Sequence, residues 1–252
     1  MSVADFSLSS DAATLAGHLL ALTGRSSLPA GRLTEIYWQF HPRFRFFKTV
    51  PRDCRLLDLG AAQGNLAQWK RWLEPVRPDI EMYGVDLDVG AHNDLYAGWE
   101  VVNLDQGLPR FDGVVFDAVF TSHVIEHIKD PAAVIAWAAT RTRPGGRLYI
   151  EWPNVSALTL PRRADLAAAG FDVMISNFYD DSTHLHLPRL DEISEIAAKA
   201  GFVIRESGVV DVGSLAEAMI ATGRAVGDSG LVLCGFWSLT HWSTYLIAER
   251  SV

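Results

Sequence analysis

The stretch 55–66 constrains the fold of this chain more than any other part of its sequence. It reads Arg-Leu-Leu-Asp-Leu-Gly-Ala-Ala-Gln-Gly-Asn-Leu. A short apolar run stops at Gly60, and apolar residues then recur at helical spacing at Leu66, Trp69, Trp72 and Leu73. Such a change of period predicts a buried strand, a tight turn and an amphipathic helix. Glycine in the turn permits positive φ and lets a ligand lie against bare backbone.

The spacing of the glycines separates two kinds of nucleotide-binding turn. A dinucleotide-binding turn has glycine at its first, third and sixth positions, which are Gly60, Ala62 and Asn65 here, so two of the three fail. The pattern Asp-x-Gly-x-Gly-x-Gly fits from Asp58 to Gly64, and only its central glycine is replaced, by Ala62. We expect Ala62 to adopt an ordinary negative φ.

The turn from Asp58 to Gly64 resembles the first motif of the class I S-adenosylmethionine-dependent methyltransferases. Further motifs follow in that family's order over roughly residues 53–249. After the fourth predicted strand the chain reads Phe-Asp-Ala-Val-Phe-Thr-Ser-His-Val-Ile-Glu-His-Ile-Lys-Asp-Pro, which closely resembles the small-molecule branch that includes ubiquinone-biosynthesis methyltransferases. A Pro-Gly-Gly turn precedes the fifth predicted strand, as in that family.

Strands and helices alternate along the chain, which predicts an α/β fold with a doubly wound, mainly parallel sheet. The resemblance implies a Rossmann-like sheet of seven strands with an antiparallel last strand, plus N-terminal helices. Residues 1–52 are predicted to form a helical extension in which Ser10 and Asp11 cap the first helix. Its aromatic cluster at 37–47 favours packing onto the main domain, with a ligand lid as the alternative. Residues 53–252 form the predicted methyltransferase domain, with an acceptor-pocket insertion around 153–190.

The resemblance implies S-adenosylmethionine as the cofactor. Asp86 ends the second predicted strand, where a carboxylate can accept hydrogen bonds from ribose hydroxyls, and Asp88 is its nearby competitor. Asp105 matches the family's acidic residue facing the adenine amino group, although it could equally be a turn aspartate. The full expected cofactor-binding set is Asp58, Gly60, Ala61, Ala62, Gln63, Gly64, Asp86, Leu87, Asp105, Ser122 and His123.

Three residues are predicted to serve the acceptor. Removing a proton from an acceptor hydroxyl needs a base or a polarising group, and histidine titrates near neutral pH. His184 is the first choice, with Asp181 three residues earlier to orient its ring, and His127 of the Glu-His pair is the second. Asp180, Asp181, His184 and His186 could instead hold a divalent ion. Methyl transfer needs no metal, however, and the predicted site contains none.

Charge and composition narrow the function. The net charge of −8 opposes binding to a phosphate backbone, so nucleic acid is not an expected partner. The two cysteines, the absence of an evident signal peptide and the shortness of the apolar stretch 230–239 predict a cytoplasmic protein without a membrane span. We therefore expect methyl transfer to a small molecule, most simply to a saccharide, quinone-like or secondary-metabolite hydroxyl. The alternatives are a non-catalytic cofactor-binding protein of the same fold and a nicotinamide-dependent oxidoreductase.

Overall fold

Seven strands of the computed structural model, which describes residues 11–22 and 27–251, form one sheet. They are β1 (Arg55–Leu59), β2 (Glu81–Asp86), β3 (Gly98–Val101), β4 (Phe116–Ser122), β5 (Thr142–Pro153), β6 (Phe202–Val209) and β7 (Ser243–Arg250). Their order is β3-β2-β1-β4-β5-β7-β6. The first five strands pair in parallel and the last strands are antiparallel, which confirms the fold class predicted from the sequence.

Eight α-helices accompany the strands in the described residues. They are α1 (Ala12–Ala21), α2 (Ala30–Phe40), α3 (Pro42–Thr49), α4 (Pro131–Arg141), α5 (Arg163–Ala168), α6 (Leu190–Lys199), α7 (Leu215–Val226) and α8 (Ser229–Leu239). The side chain of Asp11 accepts a hydrogen bond from the Thr14 backbone N–H and so caps α1, as predicted, while Ser10 lies outside the described residues. Among these helices, none combines the length and the apolarity that a bilayer crossing requires.

The described residues group into two compact units. The sheet unit takes its residues from Arg45–Trp152, Pro188–Gly208 and Tyr245–Val252. The helical unit takes its residues from Met1–Phe44, Pro153–Leu187 and Val209–Thr244. The segment Pro153–Leu187 of the helical unit corresponds to the acceptor-pocket insertion that the sequence predicts around 153–190.

The sheet unit is built around β1 and β4, whose side chains are almost entirely buried. Leu56, Leu57 and Val119 have no exposed surface, as expected for strands covered on both faces. Parallel strands end at the same edge of a sheet, so the residues that follow β1, β2 and β4 come to one side. This arrangement brings the predicted glycine turn, Asp86 and His123 to a common edge.

The prediction of an amphipathic α-helix after the glycine turn is wrong in both helix type and length. Residues Asn65–Lys70 form a six-residue 3₁₀ helix instead of a longer amphipathic α-helix. The buried amine of Lys48 on α3 donates to the carbonyls of Trp69 (2.5 Å), Trp72 (2.7 Å) and Leu73 (2.9 Å). Because a distant side chain takes these carbonyls and Leu73 has a φ of 57°, the helical hydrogen-bond pattern does not continue.

The helical unit has its own apolar core beneath α1, α7 and α8. Trp237 and Trp242 stack at its edge with their ring centroids 4.4 Å apart. Their indole N–H groups donate to the carbonyls of Ile175 (3.1 Å) and Ser176 (2.6 Å), respectively. These bonds attach the inserted segment to α8 and the turn after it, so the insertion belongs to this unit.

Candidate active site

The turn after β1 has a left-handed backbone at three positions. The φ angles are 77° at Gly60, 48° at Ala62 and 79° at Gly64. The expectation of a negative φ at Ala62 is therefore wrong. Its cause lies on the neighbouring strand, because the Ala62 N–H donates to Asp86 Oδ2 at 2.7 Å and this bond orients the peptide toward β2. A Cβ at Gly60 would lie 2.1 Å from a methyl group of Val124, so packing as well as φ requires glycine there.

Most backbone N–H groups of this turn are already used within the protein. Gly60 and Ala61 both donate to the carbonyl of Val85, at 2.9 and 3.0 Å. Ala62 donates to Asp86, and Gly64 donates to the carbonyl of Ala61 at 2.8 Å. The turn therefore has few backbone N–H groups left to donate to a ligand.

This bonding pattern suits some ligands better than others. A dinucleotide pyrophosphate binds to free N–H groups of a glycine turn and to the start of the following helix. The four committed N–H groups and the short 3₁₀ helix Asn65–Lys70 provide little of either. S-adenosylmethionine has no phosphate that needs these N–H groups, and the Asp86 carboxylate offers acceptors for its ribose hydroxyls. The residues present therefore fit S-adenosylmethionine better than a nicotinamide dinucleotide.

Asp86 stands at the tip of β2, as predicted, and the glycine turn holds it in place. Oδ2 accepts the Ala62 N–H and Oδ1 accepts the Leu87 N–H, both at 2.7 Å. Each carboxylate oxygen has a second lone pair that can accept a ribose hydroxyl. The side chain of Leu87 is exposed, and Asp88 contributes its backbone carbonyl to the Trp99 indole N–H at 3.1 Å.

Asp105 joins two loops at the same edge of the sheet. Its N–H donates to Asn103 Oδ1 at 2.9 Å, and its Oδ1 accepts the Lys129 N–H at 2.8 Å. The first bond is an Asx turn made by the side chain of Asn103, and the second ties the loop after β3 to the loop after β4. Both bonds leave Oδ2 available to an amino group.

His123 lies between two buried carboxylates just beyond β4. Its Nδ1 is 3.2 Å from Glu126 Oε1, and its Nε2 is 3.2 Å from Glu151 Oε1. Glu151 Oε2 in turn accepts the hydroxyl of Tyr149 at 2.5 Å. Burial alone would lower the pKa of His123, but the hydrogen bonds to Glu126 and Glu151 raise it. A ring that donates to a carboxylate from both nitrogens is an imidazolium.

The backbone at His123 is also unusual, with a φ of 56°. Such conformations in residues other than glycine are costly and concentrate at functional sites. Among the described residues, two buried oxygens near His123 have no hydrogen-bond partner. They are the hydroxyl oxygen of Ser122, which immediately precedes His123, and Oε2 of Glu126. His127 follows in the 3₁₀ helix Ile125–His127, with Nε2 4.0 Å from Glu126 Oε1.

The remaining predicted residues belong to the helical unit. His184 stacks on Phe178 with centroids 4.5 Å apart, and its Nδ1 lies 2.5 Å from the Phe178 carbonyl. Because a carbonyl only accepts, Nδ1 carries a hydrogen. Asp181 Oδ1 accepts from both the N–H and the hydroxyl of Thr183.

Asp180, which the metal alternative includes, is occupied by backbone donors. Its carboxylate accepts the N–H groups of Arg163, Ser176 and Asn177 at 2.8–3.1 Å. It therefore caps Phe178–Asp180 and holds the insertion together. His186 is half-buried in the same segment.

Several residues of the sheet-unit site were not predicted as site residues. Glu126, Glu151 and Tyr149 complete the surroundings of His123, and Tyr96 donates its hydroxyl to Asp58 Oδ2 at 2.7 Å. Glu151 carried a usable signal, because a carboxylate inside an apolar strand must find a buried partner. Tyr96 carried none, because nothing in the sequence links it to a residue on β1.

Two solved structures with a similar fold carry the name methyltransferase. The S-adenosylmethionine complex of phosphoethanolamine N-methyltransferase 2 from Haemonchus contortus is similar with a TM-score of 0.57 and 19% identity, over 90% of this chain and 59% of that chain. An S-adenosylmethionine-dependent methyltransferase from Mesorhizobium loti is similar with a TM-score of 0.52 and 16% identity, over 82% and 97%. At these identities the likeness shows the fold alone, and that fold is the Rossmann-like fold of methyltransferases.

Sequence comparison defines the family. The family described as "Methyltransferase domain" matches residues 33–207. The ubiquinone biosynthesis O-methyltransferase of Xanthomonas axonopodis pv. citri (strain 306) is 28% identical over 151 residues, which are 59% of this chain and 61% of that relative. The match thus spans about three-fifths of the relative's length. The chain belongs to the methyltransferase-domain family, and the sequence-based assignment to the class I S-adenosylmethionine-dependent methyltransferases is confirmed.

Proposed function

We propose that the protein transfers the methyl group of S-adenosylmethionine to a hydroxyl oxygen of a small-molecule acceptor. The observation that carries this proposal is the glycine turn, in which four backbone N–H groups donate within the protein and Ala62 is hydrogen-bonded to Asp86 at the tip of β2. This arrangement favours a cationic nucleoside over a pyrophosphate. Curated relatives named as ubiquinone biosynthesis O-methyltransferases support oxygen as the atom that is methylated.

The bound cofactor supplies the sulfonium leaving group, and the protein binds and orients the reactants. In this proposal Asp86 accepts the ribose hydroxyls and Asp105 accepts the adenine amino group. The turn residues Gly60–Gly64 contact the cofactor through backbone atoms, and Leu87, Ser122 and His123 complete its surroundings. These assignments follow from the position of each residue at the carboxyl edge of the sheet.

The acceptor-side roles belong to His184, Asp181 and His127. The Phe178 carbonyl fixes a hydrogen of His184 on Nδ1, so Nε2 is the atom that serves as the base in this proposal. Stacking on Phe178 holds the ring plane. Asp181 forms the turn that carries His184, since its side chain binds Thr183 and its carbonyl accepts the His184 N–H at 3.4 Å. His127 is the second candidate for the base.

Transfer from S-adenosylmethionine carrying an isotopically labelled methyl group tests the proposal. The protein is incubated with phenolic, quinol and saccharide hydroxyl compounds, and products are identified by mass spectrometry. We expect one class to gain a labelled methyl ether, and the same compound lacking the hydroxyl to remain unlabelled. Label found only on nitrogen, or binding of S-adenosylhomocysteine without any transfer, would contradict the proposal and favour another acceptor or a non-catalytic cofactor-binding protein.

A further inference from the structure

Asp58 is a carboxylate almost completely buried beneath the glycine turn. Its side chain is 2% exposed, and its Oδ2 accepts the hydroxyl of Tyr96 at 2.7 Å. A buried carboxylate is stable only when donors replace the water it has lost. Tyr96 provides such a donor, although it lies 38 residues further along the chain.

Tyr96 is itself held rigidly. Its ring packs edge-on against Trp99 with centroids 5.1 Å apart. Burial, followed by the neighbouring Asp58 carboxylate, raises the pKa of Tyr96, so its hydroxyl keeps its proton and donates at every physiological pH. The ring also lies against the turn, because a Cβ at Gly64 would be 3.1 Å from Tyr96 Cε2. Tyr96 is therefore connected to the turn twice, by its hydrogen bond to Asp58 and by the packing of its ring against Gly64.

The segment that precedes Tyr96 in the chain packs along the glycine turn. The His92 N–H donates to the Gln63 carbonyl at 2.9 Å. A Cβ at Gly90 would lie 2.5 Å from the Ala62 carbonyl oxygen, so this part of the segment touches the turn backbone directly. The Asp86 bond to Ala62 adds another connection. Of these hydrogen-bonded connections, the one between Tyr96 and Asp58 is made by two buried side chains.

We propose that Tyr96 is a cofactor-positioning residue: through Asp58 and Gly64 it fixes the glycine turn at the distance from Asp86 that S-adenosylmethionine requires. This inference rests on the proposed function, because it assigns the turn and Asp86 to the same cofactor. It predicts that Tyr96 contributes to cofactor affinity without touching the acceptor. Preorganisation of this kind changes binding because a loosened turn must be ordered again when the ligand binds.

Tyr96→Phe is the direct test, since it removes one oxygen and keeps the ring against Gly64 and Trp99. Titration calorimetry with S-adenosylhomocysteine should show a dissociation constant about 5- to 30-fold higher than that of the wild type. In methyl transfer, KM for S-adenosylmethionine should rise by a similar factor, while kcat at saturating cofactor stays within about twofold. KM for the acceptor should not change.

Tyr83→Phe is the matched control. Tyr83 lies on β2 in the same unit and donates its hydroxyl to a carboxylate, Glu81 Oε1, at 3.1 Å, but this pair is away from the turn. Its substitution should leave the dissociation constant unchanged. If Tyr96→Phe lowers the free energy of unfolding but binds S-adenosylhomocysteine as tightly as the wild type, Tyr96 is only structural and the inference is overturned.

A double-mutant cycle with Asp58→Ala shows whether Tyr96 acts through Asp58. In the Asp58→Ala background, Tyr96→Phe should have little further effect on the dissociation constant, because the hydrogen bond is already absent. Additive effects of the two substitutions would contradict this route. A different result would contradict the proposed function itself: a wild-type protein that binds no S-adenosylhomocysteine, or that binds it without methylating any hydroxyl.

Discussion

Replacing Ala62 with glycine should stabilise the protein, because Ala62 is held at a φ of 48°. A left-handed conformation costs a residue with a Cβ about 1–2 kcal/mol. Glycine avoids this cost but loses about 0.4–1 kcal/mol through the greater freedom of the unfolded chain. Ala62 is exposed, so loss of its methyl group removes little burial. The net expectation is a gain of about 1 kcal/mol in the free energy of unfolding.

Urea denaturation followed by circular dichroism measures this change, with Ala61→Gly as the matched control. Ala61 is the adjacent residue, is buried and does not have a positive φ. The same substitution there should therefore lose stability by about 1 kcal/mol. A gain in the free energy of unfolding for Ala62→Gly and a loss for Ala61→Gly would confirm the backbone strain at Ala62. A loss at both positions would refute it, and the turn would then differ from the one described.

Two further predictions concern the histidines. Hydrogen bonds to Glu126 and Glu151 raise the pKa of His123 in the folded protein, so their stabilisation is fully present below the unfolded pKa of about 6.5 and is lost as pH rises through the folded pKa. His123→Asn, which tolerates the left-handed backbone, should therefore destabilise more at pH 6 than at pH 9 in urea titrations; an equal loss at both would contradict the imidazolium. His184→Ala should lower kcat by about 10²–10⁴-fold with S-adenosylhomocysteine affinity unchanged, and His186→Ala should lower kcat much less. Equal losses of kcat in the two variants would refute the single base. Loss of wild-type activity on chelation, with recovery on adding metal, would favour a metal site.

The sequence predicted the sheet well because the buried strands are signalled locally. An apolar run that ends at a glycine or an acidic residue, such as the runs before Gly60 and Asp86, identifies both a strand and its functional end. The motifs then placed the predicted cofactor-binding residues at one edge of the sheet. The apolar runs 54–59, 80–85 and 116–121 predict strands that differ from the observed β1, β2 and β4 by at most one residue at either end.

The features that the sequence did not predict depend on contacts between distant residues. The spacing of Trp69, Trp72 and Leu73 is helical, but Lys48 binds their carbonyls and interrupts the helix. The φ of Ala62 is likewise set by a bond to Asp86. Local periodicity contains no information about such bonds, which form only when the strands assemble.

The candidate site was likewise predicted only in the parts that have a local signal in the sequence. The pattern Ser-His-Val-Ile-Glu-His identified the loop that contains His123, but it could not show that Glu151 on β5 lies opposite the ring. That pairing depends on the register of two strands, in which Ser122 is aligned with Glu151. Register follows from the assembled sheet, so the carboxylate partners that raise the pKa of His123 became evident only in the structure.

The cofactor is the central claim, and calorimetric titration of S-adenosylhomocysteine tests it most directly. We predict binding in the micromolar range by the wild type, no detectable binding of NADH, and a loss of about 1.5–3 kcal/mol in Asp86→Ala, where a charge-assisted ribose contact is removed. Asp88→Ala, two residues away and exposed, should bind as the wild type does. Binding of NADH without any response to S-adenosylhomocysteine, or an unchanged dissociation constant in Asp86→Ala, would contradict the account.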